Sequence, residues 1–258
     1  MNIFVMVDME GISGICQRSQ VSKGDPTYAR KYMTWDVNAC VRGCLAGGAK
    51  KVTVRDAHGG GFNLIWEELD PRADYIQGHT GKHRMPGIER CDGLILLGYH
   101  AMAGTPEAIL EHTMSSAAWQ NCWLNGKRVG EVGIDAGIAG DYGVPTIMVS
   151  GDDKVCAEAR RLIPGIVACQ VKEGMAVEGG RLLPKEAAHG LIEKKSAEAV
   201  RKCKAVKPFR VKRPVRMRLE KVERGPIPEA GKKPYVKIID GRTYEVTADS
   251  VHDALFRL

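Results

Sequence analysis

Short apolar runs alternate with longer stretches of helical periodicity along most of the chain. The runs with the length and composition of buried strands are residues 3–7, 51–55, 93–97, 146–150 and 167–171. Helical spacing is found over residues 28–46, 152–162 and 185–202. Because strands that alternate with helices build parallel sheets, this order predicts an α/β fold, a mainly parallel sheet with flanking helices. A tight Asn125-Gly126 turn predicts an antiparallel hairpin over residues 119–129 as an addition to this sheet.

The character of the sequence changes near residue 206. Residues 209–219 alternate apolar with basic side chains, which is the period of a strand with one buried face and one face in water. Residues 235–246 have the pattern of a hairpin, and residues 248–258 that of a short closing helix. We therefore predict an α/β domain over residues 1–205, which carries the candidate site described below, and a small C-terminal α+β subdomain over residues 206–258.

The net charge of +7 comes almost entirely from the C-terminal segment. Residues 1–205 carry 25 basic and 24 acidic residues, whereas residues 206–258 carry 13 and 7. The larger part of the chain therefore has no basic field that would attract nucleic acid. The basic alternation at 209–218 contains no aromatic residue beyond Phe209, so we interpret it as a solvated strand face or a subunit contact. No nucleic-acid partner is expected.

Several features bear on the location of the protein. The first apolar run, residues 3–7, has no basic residue before it and is too short for a signal peptide or a membrane span. The eight cysteines form no CxxC pair and no regular framework, so free thiols in a reducing compartment are expected. These features predict a cytoplasmic protein with no membrane partner.

Side chains that bind metals follow three of the predicted strands. Asp8 and Glu10 come directly after the strand at residues 3–7, and the histidines His58 and His100 follow the second and third strands. Ligands of open α/β sheets collect beyond the carboxyl ends of the strands, so these side chains should meet at one edge. Each residue alone has an ordinary alternative, such as a helix cap or a buried histidine. Together, two imidazoles and two or three carboxylates suit zinc, with Mn²⁺ or Co²⁺ as substitutes.

Glu131 and His112 have two possible interpretations each. Glu131 lies between glycines in an apolar segment, so it is either a fifth ligand or a charge at the start of a helix that begins near Ile134. His112 is either a general acid–base or a loop histidine, and the pattern alone favours the loop. Tyr99 and the glycines at 59–61 are candidates for the wall of a substrate pocket.

Several segments of the chain together resemble the DppA-type D-aminopeptidases, a family of zinc metallopeptidases. The matching segments are residues 7–14 (VDMEGISG), 56–58 (DAH), 97–101 (LGYHA), 111–114 (EHTM), 125–133 and 145–153. The likeness is specific because the order and spacing of all these segments agree. It runs from Met1 to about Lys202 and continues more loosely beyond.

The resemblance implies a dinuclear site with two zinc ions (Zn²⁺) per subunit. In such a site Asp8 would bridge the two ions, and Glu10 and His58 would complete the ligands of the first. His100 and Glu131 would complete the ligands of the second. No position that the family uses for metal binding or catalysis is substituted in this chain.

The same resemblance gives His112 a catalytic role, in which it moves a proton to the leaving amine or stabilises the tetrahedral intermediate. It implies an aminopeptidase that hydrolyses short peptides or amides, with D-amino acids such as D-Ala at their N-terminus. It also implies a ring-like homo-oligomer, as large as a decamer. Because fold and ligands do not fix a substrate, two alternatives stay open. One is a metal-dependent amidase or esterase, and the other is a non-catalytic protein that recruits an anionic partner.

Overall fold

The computed structural model describes residues 1–22, 27–228 and 232–258. In chain order its strands are β1 Asn2–Val7, β2 Lys51–Asp56, β3 Asp74–Ile76, β4 Gly93–Leu97, β5 Trp119–Leu124, β6 Lys127–Val129, β7 Thr146–Gly151, β8 Val167–Gln170, β9 Lys172–Ala176, β10 Gly179–Leu182, β11 Val215–Lys221, β12 Val236–Ile238 and β13 Thr243–Ala248. Its α-helices are α1 Arg18–Val21, α2 Thr27–Ala46, α3 Glu131–Asp141, α4 Asp153–Leu162, α5 Lys185–Lys202 and α6 Val251–Arg257.

Six parallel strands form the central sheet, in the order β3-β2-β1-β4-β7-β8. β1 lies inside the sheet, and its residues 3–7 are at most 1% exposed. This burial explains why the strand is a continuous apolar run rather than an alternating one. α2 packs with α5 and α3 packs with α4, and each pair contacts the sheet. The predicted α/β fold, a parallel sheet with flanking helices, is confirmed.

A second sheet is antiparallel, with the order β12-β13-β11-β5-β6. The hairpin of β5 and β6 turns at Asn125 and Gly126, both of which have positive φ, as a tight two-residue turn requires. The hairpin pairs with β11 rather than with the parallel sheet, and Leu124 lies opposite Met217. Both of these side chains are buried, so the hairpin extends an apolar face that β11 already presents.

The antiparallel sheet joins distant parts of the chain. β5 and β6 come from the segment before residue 205, whereas β11, β12 and β13 come from the segment after it. α6 packs on α3 as well as on β11 and β13. The two segments therefore share a sheet and a helix contact, and the division into residues 1–205 and 206–258 stays a prediction.

The basic alternation forms a strand only from Val215 onward. Pro214 directly precedes this strand, and it has no N–H group to donate to a sheet ladder. Within β11, Val215 and Met217 are buried while Arg216 is exposed, which confirms the predicted two-faced strand for this part. Residues 209–214 form no strand, so the prediction is wrong there.

All eight cysteines are free and six of them are buried, as expected from their spacing. Burial raises the pKa of the Cys122 and Cys156 thiols to about 12, so they act as small apolar packing groups at neutral pH. Within the described residues, none of the helices combines the length and the apolar character that crossing a membrane requires.

Candidate metal centre

Five acidic and histidine side chains meet at the carboxyl edge of the parallel sheet. Asp8 and Glu10 follow β1. The two histidines, His58 and His100, follow β2 and β4, which flank β1 in the sheet. The fifth side chain, Glu131, belongs to the first residue of α3. All except His58 are at most 7% exposed, so the structure brings the predicted ligands together in a buried cluster.

The first half of the cluster is centred on His58. Its Nδ1 atom lies 3.1 Å from Asp8 Oδ1 and 3.0 Å from Glu10 Oε2. The loop that carries His58 is held by the buried carboxylate of Asp56. This carboxylate accepts hydrogen bonds from the backbone N–H groups of His58, at 3.3 Å, and Asn63, at 2.6 Å. The histidine is therefore held in place by the loop and faces two carboxylates.

The second half of the cluster is centred on His100. Its Nε2 atom lies 3.4 Å from Asp8 Oδ2 and 3.3 Å from Glu131 Oε1. Its Nδ1–H donates to the carbonyl of Ala101 at 3.0 Å, so in the neutral ring the lone pair is on Nε2 and faces the cluster. Asp8 thus directs one carboxylate oxygen towards His58 and the other towards His100.

The donor set fits a bound metal cation. The Nε2 atom of His100 is buried and has no hydrogen-bond partner among the described residues, which costs free energy unless an ion or water completes it. The three buried carboxylates also concentrate negative charge, which a metal ion can compensate in place of protons on the imidazoles. Among the described residues, two groups of three side chains have all their ligand atoms within 4.8 Å of one another. The first group is Asp8, Glu10 and His100, and the second is His100, His112 and Glu131.

The pKa values of the cluster show how its charges balance when only protons are bound. Burial by itself lowers the pKa of His58, but hydrogen bonds with Asp8 and Glu10 outweigh burial and raise the pKa to about 11. Burial opposes ionisation of Asp8, yet its contacts with His100 and His58 hold the pKa well below the usual value. The pKa of Glu131 is also lowered, because contact with His100 outweighs burial. A metal ion must therefore displace protons from the imidazoles.

His112 lies against the second half of the cluster. Its ring stacks on that of His100, with centroids 3.9 Å apart and an interplanar angle of 11°. Its Nδ1–H donates to the carbonyl of Leu110 at 3.0 Å, and its Nε2 lies 3.7 Å from Glu131 Oε1. His112 and Glu10 both line a cavity of about 210 Å³. The Nε2 atom is therefore close enough either to carry protons at the cluster or to bind a metal.

Sequence reasoning missed a buried network behind Glu131. Asp135 accepts two hydrogen bonds from Arg84, at 2.5 and 2.8 Å, and one from the Tyr99 hydroxyl at 2.6 Å. Arg84 Nη2 also lies 3.6 Å from Glu131 Oε2. Tyr99 is 1% exposed, so the expectation that it lines a substrate pocket is wrong. Glu131 and Asp135 are four residues apart, so on a helix they lie on the same face, and this spacing could have indicated the network. The sequence pattern predicts a helix start near Ile134, whereas α3 begins at Glu131, so the spacing was not recognised.

Lys172, on β9, is a second residue that sequence reasoning missed. It is 2% exposed, and burial lowers the pKa of its ammonium group to about 8. Its Nζ donates, at 2.6, 3.0 and 2.7 Å, to the carbonyls of Glu10, Ile12 and Ile15. The side chain thereby fixes the loop that carries Glu10. No sequence signal marks a lysine that binds carbonyl groups rather than a carboxylate.

Asp152 and Asp153 support the fold rather than the cluster. Asp152 caps α4 by accepting a hydrogen bond from the Val155 N–H at 2.8 Å, which confirms the predicted helix start. Its other oxygen accepts from the Ile109 N–H, also at 2.8 Å. Asp153 accepts from the Gly174 N–H at 2.8 Å, so both carboxylates hold neighbouring loops in place.

Comparison with known proteins relates this chain to a group of peptidases. The family model described as D-aminopeptidase matches residues 1–258. A D-aminopeptidase of Bacillus subtilis (strain 168) is 36% identical over 215 residues, which cover 81% of this chain and 77% of that protein. A solved structure described as Zn-dependent D-aminopeptidase DppA from Bacillus subtilis, a self-compartmentalizing protease, superposes with a TM-score of 0.93 at 32% identity. This match covers 100% of this chain and 96% of the solved chain.

Proposed function

This chain belongs to the D-aminopeptidase family, and on that premise we propose that it is a dinuclear zinc aminopeptidase. Its substrates would be short peptides or amides with a D-amino acid such as D-Ala at the N-terminus. The observation that carries the proposal is the divided use of Asp8, which turns Oδ1 towards His58 and Oδ2 towards His100. A carboxylate placed in this way suits a position between two metal ions.

The five clustered side chains would hold the two ions. Asp8 would bridge them, with Glu10 and His58 completing the first set of ligands. His100 and Glu131 would complete the second set, and the neutral His100 ring already presents the Nε2 lone pair that this requires. Bound there, the zinc pair would polarise the scissile carbonyl and lower the pKa of a water towards ~7.

Residues around the cluster would keep the ligands in place. Arg84 and Asp135 hold the carboxylate of Glu131 at the start of α3. Lys172 fixes the loop that carries Glu10 by donating to its carbonyl at 2.6 Å. Contacts of this kind typically change metal affinity or activity ~10–100-fold when they are removed.

His112 would carry protons rather than bind metal. The hydrogen bond from its Nδ1–H to the carbonyl of Leu110 orients the ring and leaves Nε2 directed at the cluster. From this position a protonated Nε2 can donate to the leaving amine when the peptide bond breaks. The same group can also donate a hydrogen bond to the oxyanion of the tetrahedral intermediate.

A ring-like homo-oligomer, as large as a decamer, is part of the proposal. Its support is the likeness to the solved D-aminopeptidase that is described as self-compartmentalizing. Light scattering on the purified protein would measure the mass, and a value near the 28.2 kDa of one chain would contradict it. The free cysteines support a reducing, cytoplasmic location for the assembly.

Zinc content and stereospecific hydrolysis, measured on one preparation, test the proposed function. We expect two zinc ions per chain and faster release of p-nitroaniline from D-Ala p-nitroanilide than from L-Ala p-nitroanilide. Faster cleavage of the L-Ala compound would contradict the stereochemistry. Zinc-dependent cleavage of simple amides or esters, without cleavage of either alanine compound, would favour an amidase or esterase. Bound zinc without any hydrolysis would favour the non-catalytic alternative.

A further inference from the structure

A cavity of about 380 Å³ adjoins the cluster, a volume typical of sites for small ligands (~300–1,000 Å³). Its wall includes Gly59, the residue that follows His58. It also includes Arg84 and Met114. Arg84 Nη2 lies 3.6 Å from a carboxylate oxygen of Glu131, and the Met114 N–H donates to the other oxygen at 2.7 Å. The cavity and the cluster therefore share a wall.

The charge of this cavity is opposite to that of the ligand cluster. Among the described residues that line it, none is acidic, and those with basic side chains are Arg55, His79, His83 and Arg84. The guanidinium of Arg84 is already paired with the buried carboxylate of Asp135. Within the described chain, Arg55 has no carboxylate at ion-pair distance. The cavity therefore holds a cation that is left for a ligand.

The guanidinium of Arg55 is held in place by weak contacts, and no carboxylate among the described residues pairs with its charge. Its Nε atom is buried and has no hydrogen-bond partner among the described residues. Its Nη1 and Nη2 atoms make only long contacts of 3.4 Å, with the carbonyl of Ile76 and the hydroxyl of Thr80. The neighbouring carboxylate of Asp56 is occupied by N–H groups of its own loop, including that of Asn63. A guanidinium in this state is suited to a carboxylate, whose two oxygens match its planar fork.

The direction of a bound peptide follows from the two cavities beside the cluster. An aminopeptidase holds one residue before the scissile bond, so the rest of the substrate must extend away from the metal ligands. The cavity of about 210 Å³ is lined by Glu10 and by Arg18, whose charge is paired with Glu178, so that Glu10 suits the ammonium end of the substrate. The larger, basic cavity is left for the portion after the scissile bond. Its wall is open at Gly60, where an added Cβ would meet no atom within 4 Å.

We propose that Arg55 binds the free C-terminal carboxylate of the substrate, so that the enzyme prefers short peptides with a free carboxyl end. This inference rests on the proposed function, because it names the substrate class of the same site. His79 adds a second donor at the rim of the cavity. Its Nδ1 accepts a hydrogen bond from the Gly81 N–H at 3.1 Å, so a neutral ring carries its proton on Nε2.

The test compares D-Ala-D-Ala with D-Ala-D-Ala amide as substrates of the zinc-loaded protein. We expect a KM about 10- to 100-fold lower for the free acid, the size of one charge-assisted hydrogen-bonded contact. Arg55→Met should raise the KM of the acid to that of the amide and leave kcat for both peptides unchanged. The effect falls on KM because the carboxylate is bound equally before and during bond cleavage.

Matched variants separate this contact from a loss of structure. Arg18 lines the smaller cavity and is paired with Glu178, so Arg18→Met should keep the preference for the acid. Zinc content should be the same in every variant. If Arg55→Met does not fold, Gly60→Asp places a carboxylate in the same cavity without touching Arg55. It should raise the KM of the acid and leave that of the amide unchanged.

Four outcomes would overturn the inference. Equal KM values for acid and amide in the native protein would do so while the proposed function stands. A preference that survives Arg55→Met, or that Arg18→Met removes, would place the carboxylate outside the basic cavity. Failure of the zinc-loaded native protein to hydrolyse either peptide would remove the proposed function, and the inference with it.

Discussion

The six-stranded parallel sheet and the five-stranded antiparallel sheet place their charged residues in opposite surroundings. At the carboxyl edge of the parallel sheet, Asp8 and Glu131 are at most 7% exposed and lie within 3.3 Å of histidine nitrogens. On the antiparallel sheet, Arg216 is exposed. Its near neighbour Arg218 pairs with Glu245 across the strands at 3.1 Å and stays partly exposed.

The number of buried faces explains this difference. A strand buried on both faces admits charged side chains only at its ends, and a buried charge there costs several kcal/mol unless a partner or a metal compensates it. A strand with one face in water carries charges freely, and exposed ion pairs contribute about 0–1 kcal/mol. A buried carboxylate cluster is therefore informative about function, whereas a basic stripe on a solvated strand is not.

The largest effect is expected at the centre of the buried cluster. Asp8→Ala should lose both zinc ions, because one carboxylate serves both halves, and activity should fall by more than the ~10²–10⁴-fold of a lost acid–base group. His58→Ala and His100→Ala should each lose chiefly one ion. Elemental analysis of the three purified variants measures this, and two zinc ions in Asp8→Ala would rule out the bridge.

The second-largest effect is expected at His112, which contacts the cluster but is not one of its five proposed ligands. His112→Ala should keep both zinc ions and the fold, and lose activity by ~10²–10⁴-fold. One zinc measurement and one rate on the same preparation test this. Loss of zinc together with activity would make His112 a ligand, and unchanged turnover would return it to the role of a loop histidine.

A third prediction compares a buried ion pair with an exposed one. Asp135→Asn leaves the largely buried guanidinium of Arg84 without its closest carboxylate, so the free energy of unfolding of the zinc-free protein should fall by about 3–5 kcal/mol. Glu193→Gln breaks the half-exposed ion pair with Arg42 and should lower the free energy of unfolding by about 0–1 kcal/mol. Urea denaturation measures both values, and equal losses would contradict the contrast drawn between buried and exposed charge.

Zinc affinity should depend on pH in a direction set by the cluster. The pKa of His58 is about 11 in the zinc-free protein, so this imidazole carries a proton at neutral pH and must release it to bind a metal. Because protons compete with zinc below that pKa, affinity should rise ~10-fold per pH unit for each proton released. Competition with a chelator of known affinity, from about pH 6 to 8, measures the slope, and a flat profile would contradict it.

The smallest effect is expected on the basic segment. Replacing Arg210, Lys212 and Arg216 by Glu should leave the rate per assembled subunit unchanged, because all three side chains are exposed and none of them lines a cavity beside the cluster. Stability should change by no more than ~0.5 kcal/mol per site. A filter-binding assay is the check on partners. If the native protein binds nucleic acid tightly in a salt-sensitive way and the variant does not, the segment has a function of its own.

Local pattern was enough to locate most elements and four of the five proposed ligands, and the family resemblance was needed for Glu131. β4 at residues 93–97 and α5 at 185–202 have the bounds that their periodicity predicts. The ligands Asp8 and His100 were recognisable because each lies within three residues of the end of an apolar strand. Parallel strands have only one carboxyl edge, so residues in that position converge whatever the rest of the fold does.

Tertiary structure alone decided the contacts that support the cluster. Arg84 and Asp135 are 51 residues apart in the chain, and Lys172 reaches the carbonyl of Glu10 across 162 residues. Periodicity reports only which face of an element is buried, and it carries no record of which distant side chain fills the space against that face. The sequence by itself therefore determined the α/β class and the proposed ligands, whereas close packing of the whole chain determined the groups that hold those ligands in place.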